Sequence, residues 1–226
     1  MKLNLIFDLF IIYLKRIYFG PFDTFLENTT GLIHIGANEG QERFHYKKYN
    51  ISKVLWIEAD PDTFKRLQKN ISGLKNQKAI NYLLLNKNKK TIFNVSSNEG
   101  NSSSILKFAE HKNVYPEIRY IKKKLLQGYT FSSLVKKLNI KLKHYNTLIL
   151  DVQGSELLIL KGAKKLLNGF KYIKLEASDF EVYKRNPTLK ELNSYLEELN
   201  FFEEKRIKIY SDYKNKNMYD VLFVKK

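Results

Sequence analysis

Short apolar runs alternate along the chain with stretches whose apolar positions recur every three or four residues, the pattern of strands feeding helices. Gly31-Leu-Ile-His-Ile35 reads as a strand stopping at Gly36, and the spacing predicts a helix over Asn38–Lys48. Lys53–Glu58 reads as a second strand, after which Pro61 opens a helix to about Ile71, with Asp60 placed to cap it. Lys78–Leu84 and Thr91–Val95 read as strands, and the small polar stretch Ser96–Ser104 as a loop. The pattern then weakens, with Glu117–Leu126 extended and Thr130–Leu138 helical. Thr147–Asp151 is a buried-type strand ending in an acid, and Ser155–Leu167 a helix closed at Asn168-Gly169. Tyr172–Glu176 reads as a strand and Thr188–Leu199 as a helix, and Phe201–Tyr210 with Tyr219–Val224 suits a closing antiparallel pair. Strands alternating with helices predict an α/β fold whose mostly parallel sheet is covered on both faces.

Residues 1–20 break this pattern. Apolar side chains dominate from Leu3 to Phe19, but only Leu9–Leu14 runs without a polar break, far short of the ~20 residues needed to span a bilayer. No small-residue cleavage site follows. Residues 1–28 are therefore expected to form an apolar helical appendage before a single domain over 29–226. The helix either packs on the domain or a second subunit, or lies on a membrane surface with Lys15 and Arg16 at the interface. A cytoplasmic protein with peripheral membrane contact or homo-oligomeric packing through this segment is the expectation.

Composition narrows the chemistry. The absence of Cys excludes disulfide scaffolds, thiolate zinc sites and cysteine nucleophiles together. The formal charge of +17 favours anionic partners, yet only six of the 40 basic residues are Arg and the Lys are scattered. That distribution reads as surface bias, so no nucleic-acid partner is expected.

The informative stretch is the turn after the first strand, His34-Ile-Gly-Ala-Asn-Glu-Gly40. A strand feeding a helix through a small-residue turn presents backbone N–H groups to a ligand at the carboxyl edge of a sheet. Asn38 stands where a dinucleotide motif has its second Gly, which disfavours NAD. Glu58 ends the second strand 22 positions after Gly36 (58 − 36), about where a carboxylate meets a ribose in nucleotide-binding sheets. A Gly turn and a distal acid without a pyrophosphate grip point to an adenosine cofactor, of which S-adenosylmethionine is the commonest.

Further segments follow in order: Trp56-Ile-Glu-Ala-Asp-Pro61, Asn98-Glu-Gly-Asn-Ser-Ser-Ser104, Asp151-Val-Gln-Gly-Ser-Glu156, Leu160-Lys-Gly-Ala163, Leu175-Glu176 and Glu181-Val-Tyr183. From about Gly31 to the end, the chain resembles the FkbM family of S-adenosylmethionine-dependent methyltransferases. The resemblance implies a Rossmann-like class I fold, with a seven-stranded sheet and a reversed last strand. It also implies O-methylation of a small or saccharide substrate. The family commonly has Glu where this chain has Gln153; an amide cannot act as a base, so an orienting role is expected there. The weakly matching segment from Lys107 to Asn146 is where substrate selection is expected.

The expected cofactor residues are His34, Gly36, Ala37, Asn38 and Gly40 from the first turn, Glu58, Ala59 and Asp60 from the second, and Ser103 from the Ser-rich loop. His34 either faces the methionine end of the cofactor or is a buried strand histidine satisfied by a neighbour. Asp151, Glu176 and Glu156 are the candidate catalytic acids, with Asp151 best placed to meet an incoming hydroxyl. Two of them have a plainer role open: Asp151 as a helix cap or cofactor ligand, Glu156 in the first turn of a helix where negative charge is favoured anyway. Together they could hold a divalent cation, but no motif at this spacing dictates one and no metal ligand is assigned. Two other functions fit the same fold: a ribose 2′-O RNA methyltransferase using Lys174, Asp151 and Glu176, and a non-catalytic binding protein with a relic pocket.

Overall fold

The computed structural model describes residues 22–212 and 214–226; the expected helix over residues 1–20 lies outside them. In chain order the strands are β1 (Leu32–Ile35), β2 (Val54–Glu58), β3 (Gln77–Asn81), β4 (Leu83–Leu85) and β5 (Lys89–Ser96). They continue as β6 (Tyr120–Thr130), β7 (Thr147–Leu150), β8 (Tyr172–Ser178), β9 (Phe201–Ser211) and β10 (Asn217–Lys225). The α-helices are α1 (Arg43–Lys48), α2 (Pro61–Asn70), α3 (His111–Val114), α4 (Phe131–Lys137), α5 (Glu156–Ala163) and α6 (Leu189–Glu197). Seven strands form one sheet in the order β3-β2-β1-β7-β8-β10-β9, in which β10 alone runs against its neighbours. This is the mostly parallel sheet with one reversed strand that the sequence predicts.

Alternation along each strand divides the core in two. Ile33 and Ile35, Leu55 and Ile57, Leu148 and Leu150, and Ile173 and Leu175 share one cluster with α4, α5 and α6. Their neighbours Leu32, Val54, Trp56, Ile149 and Tyr172 turn to the other face, beneath α1 and α2. A short 3-10 segment, Asp23–Asn28, closes that second face with Phe25 and Leu26. Residues 22–28, grouped by the sequence pattern with the appendage, therefore pack into the domain. The same period of two places His34 on β1 and Lys174 on β8 on this second face.

Three expected elements differ. The helix expected from Asn38 begins only at Arg43, because Asn38 (φ +43°) and Gly40 (φ +71°) hold the chain in left-handed conformations no helix continues through. The strand expected over Lys78–Leu84 is two strands: β3 ends at Asn81 on the edge of the large sheet, and β4 joins a second sheet ordered β4-β6-β5. The helix expected over Ser155–Leu167 stops at Ala163; Lys164 takes φ +51° and a 3-10 segment continues to Gly169. Elsewhere local signals hold: Asp60 Oδ2 accepts the Thr63 N–H at 3.0 Å and caps α2, and Thr188 with Glu191 forms a capping box on α6.

Candidate functional site

A cavity opens at the carboxyl edge of β1, β2, β7 and β8, where parallel sheets of this kind bind ligands. One end is built from the turns after β1 and β2. Gly36 (φ +80°) is required there, since a Cβ would overlap the carbonyl of Asp151 on the neighbouring loop. That close approach seats the β1 turn against the loop following β7. The carboxylate of Glu58 then clamps both turns: Oε2 accepts the Asn38 N–H at 2.8 Å and Oε1 the Asp60 N–H at 2.7 Å. Burial pushes its carboxyl up to about 7, even though these backbone N–H groups favour the charged form. Asn38 Oδ1, on a residue of the same wall, is buried with no hydrogen-bond partner among the described residues. Ala37, Ala59 and Ser103 complete this end, and the Ser103 hydroxyl accepts the Ser96 N–H.

The other end gathers charge. Asp151 follows β7, and Glu176 and Lys174 belong to β8. Between the two acids lies Gln153, whose Nε2 donates to Asp151 Oδ1 at 2.6 Å and to Glu176 Oε2 at 3.2 Å. Its other atom is fixed as well, because the buried Tyr183 hydroxyl donates to Gln153 Oε1 at 2.6 Å. Burial raises that phenol well above its ordinary pKa, so it stays a donor. The Tyr183 hydroxyl thereby fixes which way the amide faces, and the amide in turn holds both carboxylates. Lys174 Nζ sits 3.5 Å from Asp23 and 3.4 Å from Asp220, and Asp23 also meets His45 Nε2 at 2.9 Å. Burial works against the charge on Asp23, but the His45 bond and Lys174 outweigh it and hold the carboxyl below its usual value.

Not every expected residue reaches the cavity. His34 does, yet it is buried with Nδ1 hydrogen-bonded to the Tyr46 hydroxyl at 2.9 Å and its ring stacked on Trp56. Burial lowers its pKa, so the ring is neutral near pH 7. Gly40 packs away from the wall, where a Cβ would stand 2.8 Å from Leu67. Asp60 is likewise off the wall, occupied as the α2 cap and as the ion-pair partner of Lys124. Glu156 is buried behind the wall rather than beside Asp151; its Oε1 accepts the N–H groups of Val152 at 3.3 Å and Gly154 at 3.2 Å, bracing the loop that carries Gln153. A cation shared by Asp151, Glu156 and Glu176 does not fit, since an amide donor stands between two of them and the third faces backbone. Among the described residues no group of three or more His, Asp or Glu converges as a metal site.

The sequence reading missed Asp23, His45 and Asp220, and gave Tyr183 no role. Lys174 carried a usable signal, being a charge flanked by Ile173 and Leu175 in a buried strand. Tyr183 was marked only by its place in the Glu181-Val-Tyr183 segment, since its partner is 30 residues away.

Comparisons with known proteins bear on the fold. The structure resembles the methyltransferase domain of bacterial CtHen1, with a TM-score of 0.52 at 12% identity, covering 94% of this chain and 99% of that one. It also resembles magnesium protoporphyrin IX methyltransferase (ChlM) from Synechocystis PCC 6803 with bound SAM, with a TM-score of 0.50 at 7% identity over 97% of this chain and 82% of that one. An uncharacterized protein from Listeria monocytogenes serotype 4b matches with a TM-score of 0.47 at 13% identity, covering 89% of this chain; that match spans 65% of the Listeria chain, less than two thirds of its length. No curated protein matches the sequence. The fold is that of class I S-adenosylmethionine-dependent methyltransferases, and the model of the methyltransferase FkbM domain matches residues 34–202; the chain belongs to the FkbM methyltransferase family.

Proposed function

We propose that this protein transfers the methyl group of S-adenosylmethionine to a hydroxyl of a saccharide or related biosynthetic intermediate. The observation that carries the reading is one continuous cavity with Gly36, Asn38 and Glu58 at one end and the bridged acids Asp151 and Glu176 at the other. The first end fits an adenosyl cofactor. Glu58 keeps lone pairs for ribose hydroxyls after accepting two N–H groups, and Asn38 Oδ1 is an unused acceptor for an ammonium group. S-adenosylmethionine, when bound, supplies a methyl group already activated by a positively charged sulfur. The chain's own residues then have two tasks: to orient the acceptor hydroxyl and to take its proton. Asp151 and Glu176 are the groups placed to do so, with Gln153 holding them in position.

The acceptor end supports an uncharged, hydroxyl-rich substrate. Asp23, Glu42, Asp151, Glu176 and Asp220 all line the cavity, while Lys174 is held between two of these acids. A polyanion would meet repulsion there despite the positive charge of the whole chain. Phe44, 68% exposed on the cavity wall, offers an apolar face to a sugar ring. The same wall weakens the ribose 2′-O alternative: Lys174, Asp151 and Glu176 are present, but three further acids, Asp23, Glu42 and Asp220, line the same cavity.

Methyl transfer from labelled S-adenosylmethionine to neutral oligosaccharides, compared with RNA, tests the reading. Label should enter saccharide and depend on Asp151, with Asp151→Ala slower by roughly a hundredfold or more. Label entering RNA alone, or wild-type rates from Asp151→Ala, would contradict it.

A further inference from the structure

Four large apolar side chains stand exposed among the described residues. Phe44 borders the cavity; the other three, Ile92, Ile121 and Leu125, belong to β5 and β6. Ile92 pairs directly with Leu125 across these antiparallel strands, so both project from one face of the small sheet. Lys90 and Lys123, two positions away on either strand, share that face. Ile121 sits where the pairing slips between Val95 and Ser96, 61% exposed. The opposite face is occupied, with Phe93 and Leu126 packed on Leu83 and Leu85. The aliphatic side chains on the outer face therefore do not belong to the core of the described residues.

Charge identifies what covers them. β5 and β6 carry five lysines and no acidic residue. Lys122 and Lys124 reach Asp62 on α2, whereas Lys90 and Lys123 stay exposed beside the aliphatic pair. Neither strand contains Arg, and their aromatic rings are engaged within the protein: Phe93 is buried, Tyr120 stacks on Phe108 at 3.9 Å, and Tyr129 meets Tyr82 edge-on with Lys137 over its ring. A single-stranded nucleic acid would find no guanidinium fork on this face, and its one half-buried ring, Tyr129, is taken up by Tyr82 and Lys137. Branched aliphatics ringed by Lys are the complement of a bilayer interface, with hydrocarbon at the centre and anionic headgroups around it.

We propose that the outer face of the β5–β6 pair docks the protein on an anionic lipid bilayer, with Ile92, Ile121 and Leu125 entering the headgroup region and Lys90 and Lys123 meeting lipid phosphates. The inner face of the same sheet supplies Leu83 and Phe93 to the cavity wall, so docking holds the catalytic layer at the membrane whatever acceptor it serves.

Co-sedimentation of the full chain tests this, using vesicles of phosphatidylcholine alone and of phosphatidylcholine with phosphatidylglycerol in equal parts, at low and high salt. Wild-type protein should pellet with the anionic vesicles and be released by salt. Each Lys near such a surface changes partitioning about fivefold, so K90Q/K123Q should bind roughly twenty-five-fold more weakly. Removing the aliphatics in I92S/L125S should cost about tenfold or more, and unchanged near-ultraviolet circular dichroism would show that both variants remain folded. Equal pelleting with neutral vesicles, or unaltered binding by both variants, would overturn the proposal and place any membrane contact elsewhere. So would salt-sensitive binding to a single-stranded RNA that the lysine variant loses, without pelleting on anionic vesicles.

Discussion

The carboxyl of Glu58, raised to about 7 from an ordinary 4.5, makes cofactor affinity pH-dependent in a defined direction. Ribose hydroxyls donate, so they bind the charged form, and a ligand that selects it must displace the proton. Apparent affinity then scales with the ionised fraction of the free protein. Between pH ~6 and pH ~8 that fraction rises about tenfold, so the dissociation constant for S-adenosylhomocysteine should fall about tenfold. Calorimetry at several pH values, in buffers of different ionisation enthalpy, reads both the affinity and the proton released. Glu58→Gln should remove the pH dependence and weaken binding outright. Its backbone donors reach both carboxylate oxygens, so either orientation of an amide sets an NH2 group against a backbone N–H, at a cost of about 1–3 kcal/mol. Glu156 supplies the control, because burial raises its carboxyl to about 7 as well. The bonds from Val152 and Gly154 both go to Oε1, which an amide preserves, so Glu156→Gln should keep the wild-type pH dependence. Affinity that is flat with pH, or a dependence lost in Glu156→Gln and kept in Glu58→Gln, would refute the assignment.

Three further outcomes follow from the geometry. Gly36→Ala should destabilise the protein by more than ~3 kcal/mol in urea denaturation, since the added methyl overlaps the Asp151 carbonyl at a positive φ; a cooperative transition at the wild-type midpoint would show that the two loops do not approach as described. Tyr183→Phe keeps the buried ring but frees Gln153 Oε1, so methyl transfer should slow about tenfold with little change in S-adenosylhomocysteine affinity; an equal loss in both would reduce Tyr183 to packing. His111 is buried against Phe108 with neither ring nitrogen partnered, and burial lowers its pKa to about 4 from 6.5. The unfolded chain therefore binds this proton first, and its effect is to remove stability as pH falls from 6.5 towards 4, on the order of 3 kcal/mol in all. His111→Phe should retain that stability at pH ~4.5, and a wild-type acid profile in the variant would exclude His111 as its source.

What was legible in the sequence was what local physics decides. Alternation along β1, β2, β7 and β8 fixes a sheet buried on both faces, and the Asp60-Pro61 and Thr188-Glu191 signals set helix starts that the structure reproduces. The small sheet was not legible, because Leu83–Leu85 continues the apolar run of β3 and only the tertiary turn at Tyr82 assigns it elsewhere. Glu58 could be expected at a ligand from its place at the end of a strand. The spacing of Asp151, Gln153 and Glu156 could not show which side chain faces the cavity: Gln153 turns in at φ +54° while Glu156 turns back to its own loop. Asp60 shows the same limit, since a residue beside the cofactor turn in sequence is spent on a cap and on Lys124. The Lys174 network joins residues from the first turn to the last strand, and no local pattern encodes that convergence.

A crystal structure of the protein with S-adenosylhomocysteine tests the central claim most directly. The account predicts ribose hydroxyls within hydrogen-bond distance of the Glu58 carboxylate and the sulfur directed towards Asp151 and Glu176. An adenosyl group bound away from Glu58, or a sulfur facing a wall without either acid, would contradict it.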